Sequence, residues 1–329
     1  IKPFYQLKKW WLSNTARFIT LTITASIIGI LLVPIKKPIF SDDYSKVILD
    51  QNNEILRVYL NEQEQWVFPM EYQKEIPYKL KKAILSFEDR FFYYHFGINP
   101  VSMINAWRMN RREKRIVSGA STITMQLARL SEPKKRNYKN KIFEMAQALK
   151  IELLYSKEDI LKLYITHAPF GSNIQGYYAA SFIYFNKQPI NLTWAEAALL
   201  AILPNSPSQV TPILNHDKLI TKRNKLLVRL FEQGYITKNE YKLGLTEEVP
   251  NKLYKFPILA PHLSDQIRLS HPKKNIHKTT LIKRIQQDIE QIIKTESIKV
   301  SSYGVHNISA IVADTVTGEL VAYVGSNDY

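Results

Sequence analysis

Apolar residues recur at helical spacing through most of the chain from about residue 77 to residue 248. Within each segment they are three and four positions apart, which places them on one face of an amphipathic helix. Glycine, proline, asparagine and serine are concentrated between the segments, where they favour loops. The region is therefore predicted to be mainly α, with helices over residues 79–92, 121–130, 140–155, 157–167, 193–203 and 219–234.

Two other regions alternate apolar and polar residues, as β-strands do. Residues 47–69 alternate around Asn52-Asn53, and residues 308–325 alternate around Thr317-Gly318, pairs that tolerate the positive φ of a tight turn. Each region is predicted to form a small β-hairpin, with a charged helix over residues 281–295 before the second. Because a lone hairpin is marginally stable, the C-terminal hairpin is predicted to begin a second domain.

An uncharged run of sixteen residues, 18–33, lies near the N-terminus between basic residues. No small-residue cleavage site follows it, so a retained anchor is favoured over a signal peptide. We predict one membrane-spanning helix over about residues 18–35. Four basic residues precede the run and two follow it, which favours a cytoplasmic N-terminus with the rest of the chain outside.

These patterns divide the chain into five parts. The predicted domains are a cytoplasmic tail and transmembrane anchor (1–40), a β-hairpin segment (41–70), a helical catalytic domain (71–250), a linker with the charged helix (251–306) and the start of a truncated further domain (307–329).

The net charge of +16 indicates an anionic partner. A basic surface suits lipid headgroups, phosphates or nucleic acid, and residues 108–115 are especially basic. The chain has no cysteine, which excludes disulfides and thiolate metal sites.

Residues 83–97 place Glu88 and His95 in a segment crowded with apolar side chains. A continuous helix here would put both residues on the flank of one apolar stripe. A carboxylate in that position loses solvation, so its pKa rises and it becomes a proton acceptor near neutral pH. The alternative is an ordinary helix edge with a solvated glutamate. The stripe would consist of Leu80, Ile84, Phe87 and Phe91.

A possible phosphate site follows in the sequence. Gly119 and small hydroxyl residues open the helix over residues 121–130, and basic residues follow from Arg129 to Lys141. Free backbone N–H groups at a helix start beside cations suit a phosphate or pyrophosphate. A capped helix with a solvated basic loop is the alternative. In the next helix, Lys141 and Glu144 can pair on the side opposite the predicted core stripe, which is Ile142, Met145, Ala146, Leu149 and Leu153.

Five motifs in one order resemble those of the peptidoglycan glycosyltransferases, glycosyltransferase family 51, over roughly residues 45–235. The residues in these motifs are most similar to those of the penicillin-binding protein 1C branch. The motifs are Glu88-Asp89-x-x-Phe92-x-x-His95-x-Gly97; Gly119-Ala-Ser121-Thr122-Ile-Thr124-Met-Gln126-Leu-Ala-Arg129; Lys141-x-x-Glu144; Lys157-x-x-Ile160-Leu161-x-x-Tyr164; and Ala195-Glu196 through Pro204.

The resemblance implies a mainly helical, lysozyme-like, two-lobed domain on the outer face of the bacterial cytoplasmic membrane. It implies polymerisation of lipid II into β-1,4 glycan strands for the cell wall, with release of undecaprenyl pyrophosphate. The implied partners are lipid II, the growing strand, membrane lipids and other cell-wall synthesis proteins, and not nucleic acid. The last hairpin resembles the start of a transpeptidase domain.

The resemblance also assigns roles to individual residues. Glu88 is implied as the general base and Glu144 as a second catalytic carboxylate that organises the donor site. No cofactor is required, with Mg²⁺ or Mn²⁺ at the pyrophosphate as an option and no certain metal ligand. The residues implied in substrate binding are Asp89, His95, Ser121, Thr122, Gln126, Arg129, Arg136 and Lys141.

Some positions depart from the family pattern. Met125 stands in place of Gln, Asn140 in place of Arg, and Thr166-His167 in place of Asn-Glu. These departures keep a second hypothesis open, a catalytically weak scaffold that binds lipid II. A lysozyme-like hydrolase is a third, although the basic cluster speaks against it. Two Ser-x-x-Lys strings, at Ser131 and Ser270, contain proline and are interpreted as chance matches to the transpeptidase motif.

Overall fold

The computed structural model describes residues 2–73, 75–115, 119–205 and 216–329, and this part of the chain is mainly helical. In chain order the helices are α1 (Lys2–Leu32), α2 (Tyr78–Glu88), α3 (Pro100–Glu113), α4 (Ile123–Ser131), α5 (Tyr138–Leu154), α6 (Lys157–His167), α7 (Tyr177–Phe185), α8 (Trp194–Ile202), α9 (His216–Glu232), α10 (Lys238–Thr246), α11 (Pro261–Ser270) and α12 (Lys283–Ser301).

Most predicted helices are confirmed, and four further helices were missed by the periodicity analysis. Helix α7 is apolar on nearly every side, so it has no stripe to detect. Helices α3 and α10 carry start signals that could have revealed them. Asn99 caps α3 directly before a proline, and Thr237 caps α10 in a capping box with Glu240. Helix α11 also begins with a proline.

The strands form two three-stranded sheets and one hairpin. They are β1 (Lys46–Leu49), β2 (Ile55–Tyr59), β3 (Trp66–Val67), β4 (Pro169–Gly171), β5 (Ile174–Gln175), β6 (Ile276–Lys278), β7 (Ala310–Ala313) and β8 (Leu320–Val324). The predicted hairpins β1–β2 and β7–β8 are confirmed, and Asn53 has the expected positive φ of 63°. The sequence did not reveal that β6 adds to β1 in parallel, or that β3 joins a separate sheet with β5 and β4.

The chain is divided into two compact units. The first contains Ile1–Ser41 and Glu88–Tyr164, and the second contains Asp42–Phe87 and Ile165–Tyr329. Helices α1, α3, α4 and α5 therefore belong to the first unit, together with most of α6. All the candidate site residues named from the sequence also lie in the first unit. The predicted domain boundaries and the lysozyme-like arrangement stay predictions.

The membrane-spanning helix predicted over about residues 18–35 is not found. The segment is helical as part of α1, but no helix in the described ranges is long and apolar enough to cross a membrane. Within α1 the uncharged residues run only from Phe18 to Leu32, fewer than the roughly 20 that a spanning helix needs.

The continuous helix predicted over residues 79–92 is wrong at its C-terminal end. Helix α2 stops at Glu88, and Phe92–Tyr94 form a separate 3₁₀ turn. Consequently Phe91 is exposed, whereas Phe92 is fully buried. The chain leaves the helix because the Asp89 carboxylate accepts a hydrogen bond from the backbone N–H of Ile123 at the start of α4.

The core stripe predicted for α5 is also wrong. Ile142 and Leu153 are exposed, whereas Ala148 and Ile151 are among the buried residues of this helix. The face that carries Lys141, Glu144 and Ala148 is directed towards the rest of the unit. Helical periodicity identifies the face with the most apolar residues. In α5, however, the face packed against the rest of the unit carries both polar and apolar residues.

Glu196, in the fifth motif, has a structural position at the start of α8. It forms a capping box with Thr193 and an ion pair of 2.8 Å with Lys187. Helix α8 itself is almost entirely buried in the core of the second unit. The capping box therefore satisfies backbone groups that would otherwise be left unpaired at a buried helix end.

Gly176 lies at a tight approach in the same unit. Its φ is +80°, and a Cβ added there would lie 2.4 Å from the carbonyl oxygen of Thr166. Gly234 also has a positive φ, +73°, but a Cβ there would meet nothing within 4 Å. Gly176 therefore combines a steric clash with strong backbone strain, because its ψ of 148° lies in a region that is open almost only to glycine.

We expect Gly176→Ala to lower the free energy of unfolding by at least about 3 kcal/mol, because strain and clash add. Gly234→Ala should cost only about 1 kcal/mol, from strain alone. Urea unfolding of both variants measures the difference. Equal losses would contradict the packing assigned to Gly176.

Candidate active site

Glu88 lies at the C-terminal end of α2, and its carboxylate is held by Gln126 from α4. The Gln126 side-chain Nε2 donates to Glu88 Oε2 at 2.7 Å. Burial raises the pKa of Glu88 to about 7, and the neighbouring charge of Asp89 acts in the same direction. The hydrogen bond from Gln126 and the positive charge of Arg129 lower the pKa and limit this rise. A carboxyl group with this pKa is half ionised near neutral pH and can accept a proton.

Asp89 and His95 are brought together, but they are buried. His95 Nε2 lies 3.0 Å from both oxygens of the Asp89 carboxylate, and the two side chains are 8% and 4% exposed. The same carboxylate accepts the N–H of Ile123 at 3.1 Å. The sequence predicted that His95 would lie beside Glu88 on one helix. The structure instead pairs His95 with Asp89, where the two residues fix the loop to the start of α4.

Thr122 is the N-cap of α4. Its hydroxyl accepts the N–H of Met125 at 3.1 Å and donates to the carbonyl of Gly97 at 2.6 Å. Gly97 has a φ of +74°, and a Cβ there would lie 2.9 Å from the carbonyl oxygen of Ala148 on α5. Thr122 therefore holds the loop and α4 together and is itself 2% exposed. Its contact with a substrate stays a prediction.

Ser121, Lys141 and Glu144 form a second polar cluster. Lys141 Nζ donates to Ser121 Oγ at 2.7 Å and to Glu144 Oε2 at 3.1 Å. The Lys141 side chain is 39% exposed and that of Glu144 is 14% exposed, so the ammonium group remains accessible. The pairing of Lys141 with Glu144 expected from their spacing is confirmed.

The other predicted cations differ in their surroundings. Arg129, in the last turn of α4, is close enough to lower the pKa of Glu88 by its charge. Arg136 is exposed, and no hydrogen bond or ion pair holds it among the residues that the structure describes. Helix α4 thus connects the parts of the site, since it carries Gln126 and Arg129, and Ser121 directly precedes its N-cap residue.

A buried network supports the site and was missed in the sequence. Lys157 Nζ donates to Glu152 and to the carbonyl of His95, both at 2.7 Å, and lies 4.4 Å from the centre of the Phe92 ring. Glu152 is 3% exposed and also accepts the hydroxyl of Thr124 at 2.6 Å. The signal was present, because Glu152 follows Glu144 at helical spacing on the packed face of α5.

The departures from the family pattern lie outside the contacts of Glu88 named above. Met125 is buried in the core at 1% exposure. Thr166 donates its hydroxyl to Gln73, and His167 lies 3.4 Å from the hydroxyl of Tyr44. Asn140 is tied to the carbonyl of Lys135 at 2.7 Å. None of these three contacts is to the carboxylate of Glu88.

The described residues do not include a cluster of side chains that could form a metal site. Within the described ranges, no group of three or more histidine, aspartate or glutamate side chains lies close enough together to hold an ion. Glu144 is already paired with Lys141.

The two Ser-x-x-Lys strings both begin where a helix ends. Ser131 is the last residue of α4, and Ser270 is the last residue of α11. The transpeptidase motif needs its serine and lysine one turn apart within a helix. The positions of both strings agree with their interpretation as chance matches.

Comparison with known proteins gives one family model and several relatives. The family model described as Transglycosylase matches residues 51–231. Penicillin-binding protein 1C of Escherichia coli (strain K12) is 32% identical over 291 residues, covering 88% of this chain and 37% of that protein. Penicillin-binding protein 1A of Aquifex aeolicus (strain VF5) is 41% identical over 187 residues, covering 55% of this chain and 26% of that protein. A crystal structure of Penicillin-Binding Protein 1A from Haemophilus influenzae aligns with a TM-score of 0.36 and 19% identity, covering 84% of this chain and 32% of that one.

The chain spans only about a quarter to two fifths of the length of these relatives. The matched residues 51–231 nevertheless make up more than half of this chain. They include Glu88, all of α4 and all of α5, which carry the candidate site. The family predicted from the motifs is confirmed: the chain belongs to the transglycosylase family.

Proposed function

We propose that this chain is a peptidoglycan glycosyltransferase that polymerises lipid II into β-1,4 glycan strands. The observation that carries the proposal is the carboxyl group of Glu88, whose pKa is raised to about 7 beside the cation Arg129. Membership of the transglycosylase family supports it, as do relatives named penicillin-binding protein 1C and 1A.

In the proposed reaction, Glu88 takes the proton from the 4-hydroxyl of the acceptor sugar. The hydroxyl oxygen attacks the anomeric carbon of the growing chain, and the bond from that carbon to undecaprenyl pyrophosphate breaks. The base needs to be ionised at working pH and basic enough to accept a proton, and a pKa near 7 meets both needs. Inversion at the sugar carbon follows from this direct displacement.

The leaving pyrophosphate needs positive charge more than it needs a general acid. Arg129, Arg136 and Lys141 are the proposed source of this charge, because charge-assisted hydrogen bonds to phosphate oxygens are the strong ones. Glu144 would keep the Lys141 ammonium group in place. We assign any requirement for Mg²⁺ or Mn²⁺ to the oxygens of the pyrophosphate, since the protein offers no ligand set of its own among the described residues.

We also propose that the chain works at the outer face of the bacterial cytoplasmic membrane, where its lipid-linked substrate resides. Large apolar side chains of α1 are exposed, among them Phe18 at 71% and Leu21 at 69%. Helix α3 exposes Val101, Ile104 and Trp107 beside a strongly basic C-terminal half. Apolar and basic groups on one helix suit an anionic lipid surface. Other cell-wall synthesis proteins are proposed as partners on the strength of the family alone.

The Glu88→Gln variant should make no glycan polymer from lipid II, because an amide cannot accept the proton. Incubation of the purified protein with lipid II, followed by electrophoresis for glycan ladders, measures this. The matched control is Glu248→Gln, an exposed glutamate in the other unit, which should make the same ladders as the unsubstituted protein. Equal polymer from Glu88→Gln would exclude Glu88 as the base. Binding of lipid II without polymer would favour the scaffold hypothesis.

The rate of polymerisation should fall about tenfold per pH unit below pH 7, because the base is lost as Glu88 takes up its proton. Above about pH 8 the rate should level off. The profile of kcat/KM between pH 5 and pH 9 measures the dependence. A rate that stays flat down to pH 5 would show that the reaction does not depend on a group with this pKa.

The ionised form of Glu88 should also lower the free energy of unfolding at high pH. Its pKa is about 7 in the folded protein and 4.5 ordinarily, so between these values the folded state holds a proton that the unfolded state has lost. Stability therefore falls as the pH rises from about 4.5 to 7, by at most about 3 kcal/mol. Urea unfolding should find Glu88→Gln more stable than the unsubstituted protein at pH 8 and similar to it at pH 4. Equal stability of the two proteins at pH 8 would mean that burial does not disfavour the ionised carboxylate of Glu88.

A further inference from the structure

Gln126 lies between Glu88 and a second buried side chain, Tyr164 of α6. Its Nε2 donates to Glu88 at 2.7 Å, and its Oε1 accepts the hydroxyl of Tyr164 at 3.2 Å. Gln126 is 8% exposed and Tyr164 is 2% exposed. The two ends of a side-chain amide have nearly the same shape, so its orientation is decided by its hydrogen-bond partners.

Without Tyr164, the amide of Gln126 could follow the protonation state of Glu88. An ionised carboxylate only accepts hydrogen bonds, so the NH₂ end faces it. A protonated carboxyl group has an O–H to donate, so the carbonyl end of a reversed amide would suit it as well. A reversed amide would therefore stabilise the protonated, inactive form of the base.

Tyr164 opposes this reversal. Burial holds the pKa of its phenol well above the ordinary value, so its O–H remains a donor over the whole working range of pH. In the observed orientation this O–H donates to the amide carbonyl. In the reversed orientation the phenol hydrogen would lose that acceptor, which is costly for a buried polar group.

We propose that Tyr164 is a positioning residue that fixes the orientation of the Gln126 amide, so that its NH₂ group always faces the carboxylate of Glu88. Tyr164 does not touch the substrate or the reacting atoms, and its effect passes through Gln126 alone. The proposal rests on the proposed function in one respect, the use of Glu88 as the base. Asp89 and Arg129 are charged groups that also act on the pKa of Glu88, and Tyr164→Phe substitutes neither of them.

Tyr164→Phe removes the hydroxyl and keeps the ring, so the amide becomes free to reverse. The pKa of Glu88 should then rise, because the hydrogen bond that favours its ionised form is no longer enforced. We expect a rise of about 0.5–1 unit, which corresponds to a three- to tenfold lower rate below pH 7. Above about pH 9 the rates of the variant and the unsubstituted protein should converge. A merely structural role would lower the rate at every pH.

The control is Tyr184→Phe. Tyr184 is also 2% exposed, and its hydroxyl donates to the carbonyl of Phe170 at 2.8 Å within the other unit. Like Tyr164→Phe, Tyr184→Phe loses one buried hydrogen bond. Thermal unfolding of the two variants therefore measures how much stability this loss costs in each. The pH profile of Tyr184→Phe should keep its midpoint. A shift of equal size in Tyr184→Phe would overturn the proposal.

The titration of Glu88 can be followed without turnover. Protein labelled with ¹³C at the glutamate carboxyl groups is titrated by NMR, and the Glu88 signal is assigned by its absence in Glu88→Gln. The midpoint should move up in Tyr164→Phe and in Gln126→Leu, and the double variant should move no further than Gln126→Leu. An unchanged midpoint in Tyr164→Phe, or additive shifts in the double variant, would overturn the proposal.

One further measurement needs no substitution. In the unsubstituted protein, nuclear Overhauser contacts of the Gln126 amide protons should be stronger to the side chain of Glu88 than to the ring of Tyr164 at both pH 5 and pH 9. A change of partner with pH would contradict the proposal even if Tyr164→Phe does not fold. A shifted titration in a protein that makes no polymer would instead overturn the proposed function and leave the role of Tyr164 intact.

Discussion

The buried carboxyl group of Glu88 is the constraint on which the rest of the site depends. Burial alone would keep this group protonated and useless as a base at neutral pH. The amide of Gln126 and the charge of Arg129 act against burial, and the balance leaves the pKa at about 7. The pKa of Glu88 therefore depends on where Gln126 and Arg129 lie, and both residues are on α4.

The surrounding network can be understood as a means of holding α4 against the loop that follows Glu88. Asp89 accepts the first N–H of α4, and Thr122 at its N-cap donates to the carbonyl of Gly97. Lys157 ties the carbonyl of His95 to the buried carboxylate of Glu152. Removing one partner of such a buried pair leaves the other charge unpaired, which is costly. Several residues that resemble substrate ligands in the sequence therefore hold α4 and the loop after Glu88 together.

The sequence was sufficient for most helices with one apolar face and for both hairpins, because each depends on local pattern. It also predicted the direction of the pKa shift of Glu88, whereas the size of the shift depends on Gln126 and Arg129 of α4. It was insufficient where tertiary contacts decide. Helix α2 ends at Glu88 because Asp89 bonds to a helix start 34 residues later, and no periodicity reports that. The packed face of α5 was misassigned because Glu152 is satisfied by Lys157 and Thr124. Pair interactions of this kind become visible only in the folded chain.

Helix α5 connects Lys141, one of the cations proposed to receive the pyrophosphate, to the N-terminal helix α1 in the same unit. Lys150 of α5 donates to the carbonyls of Leu31 and Val33, both at 2.6 Å, at the C-terminal end of α1. A lysine at this place satisfies carbonyls that a helix leaves unpaired and matches the negative end of its dipole. Lys141 lies at the other end of α5. The group proposed to receive the pyrophosphate and the helix with the exposed apolar surface are thus fixed to one rigid element. The proposed lipid-linked substrate would make use of that link, because its head group and its lipid tail have to be accommodated together.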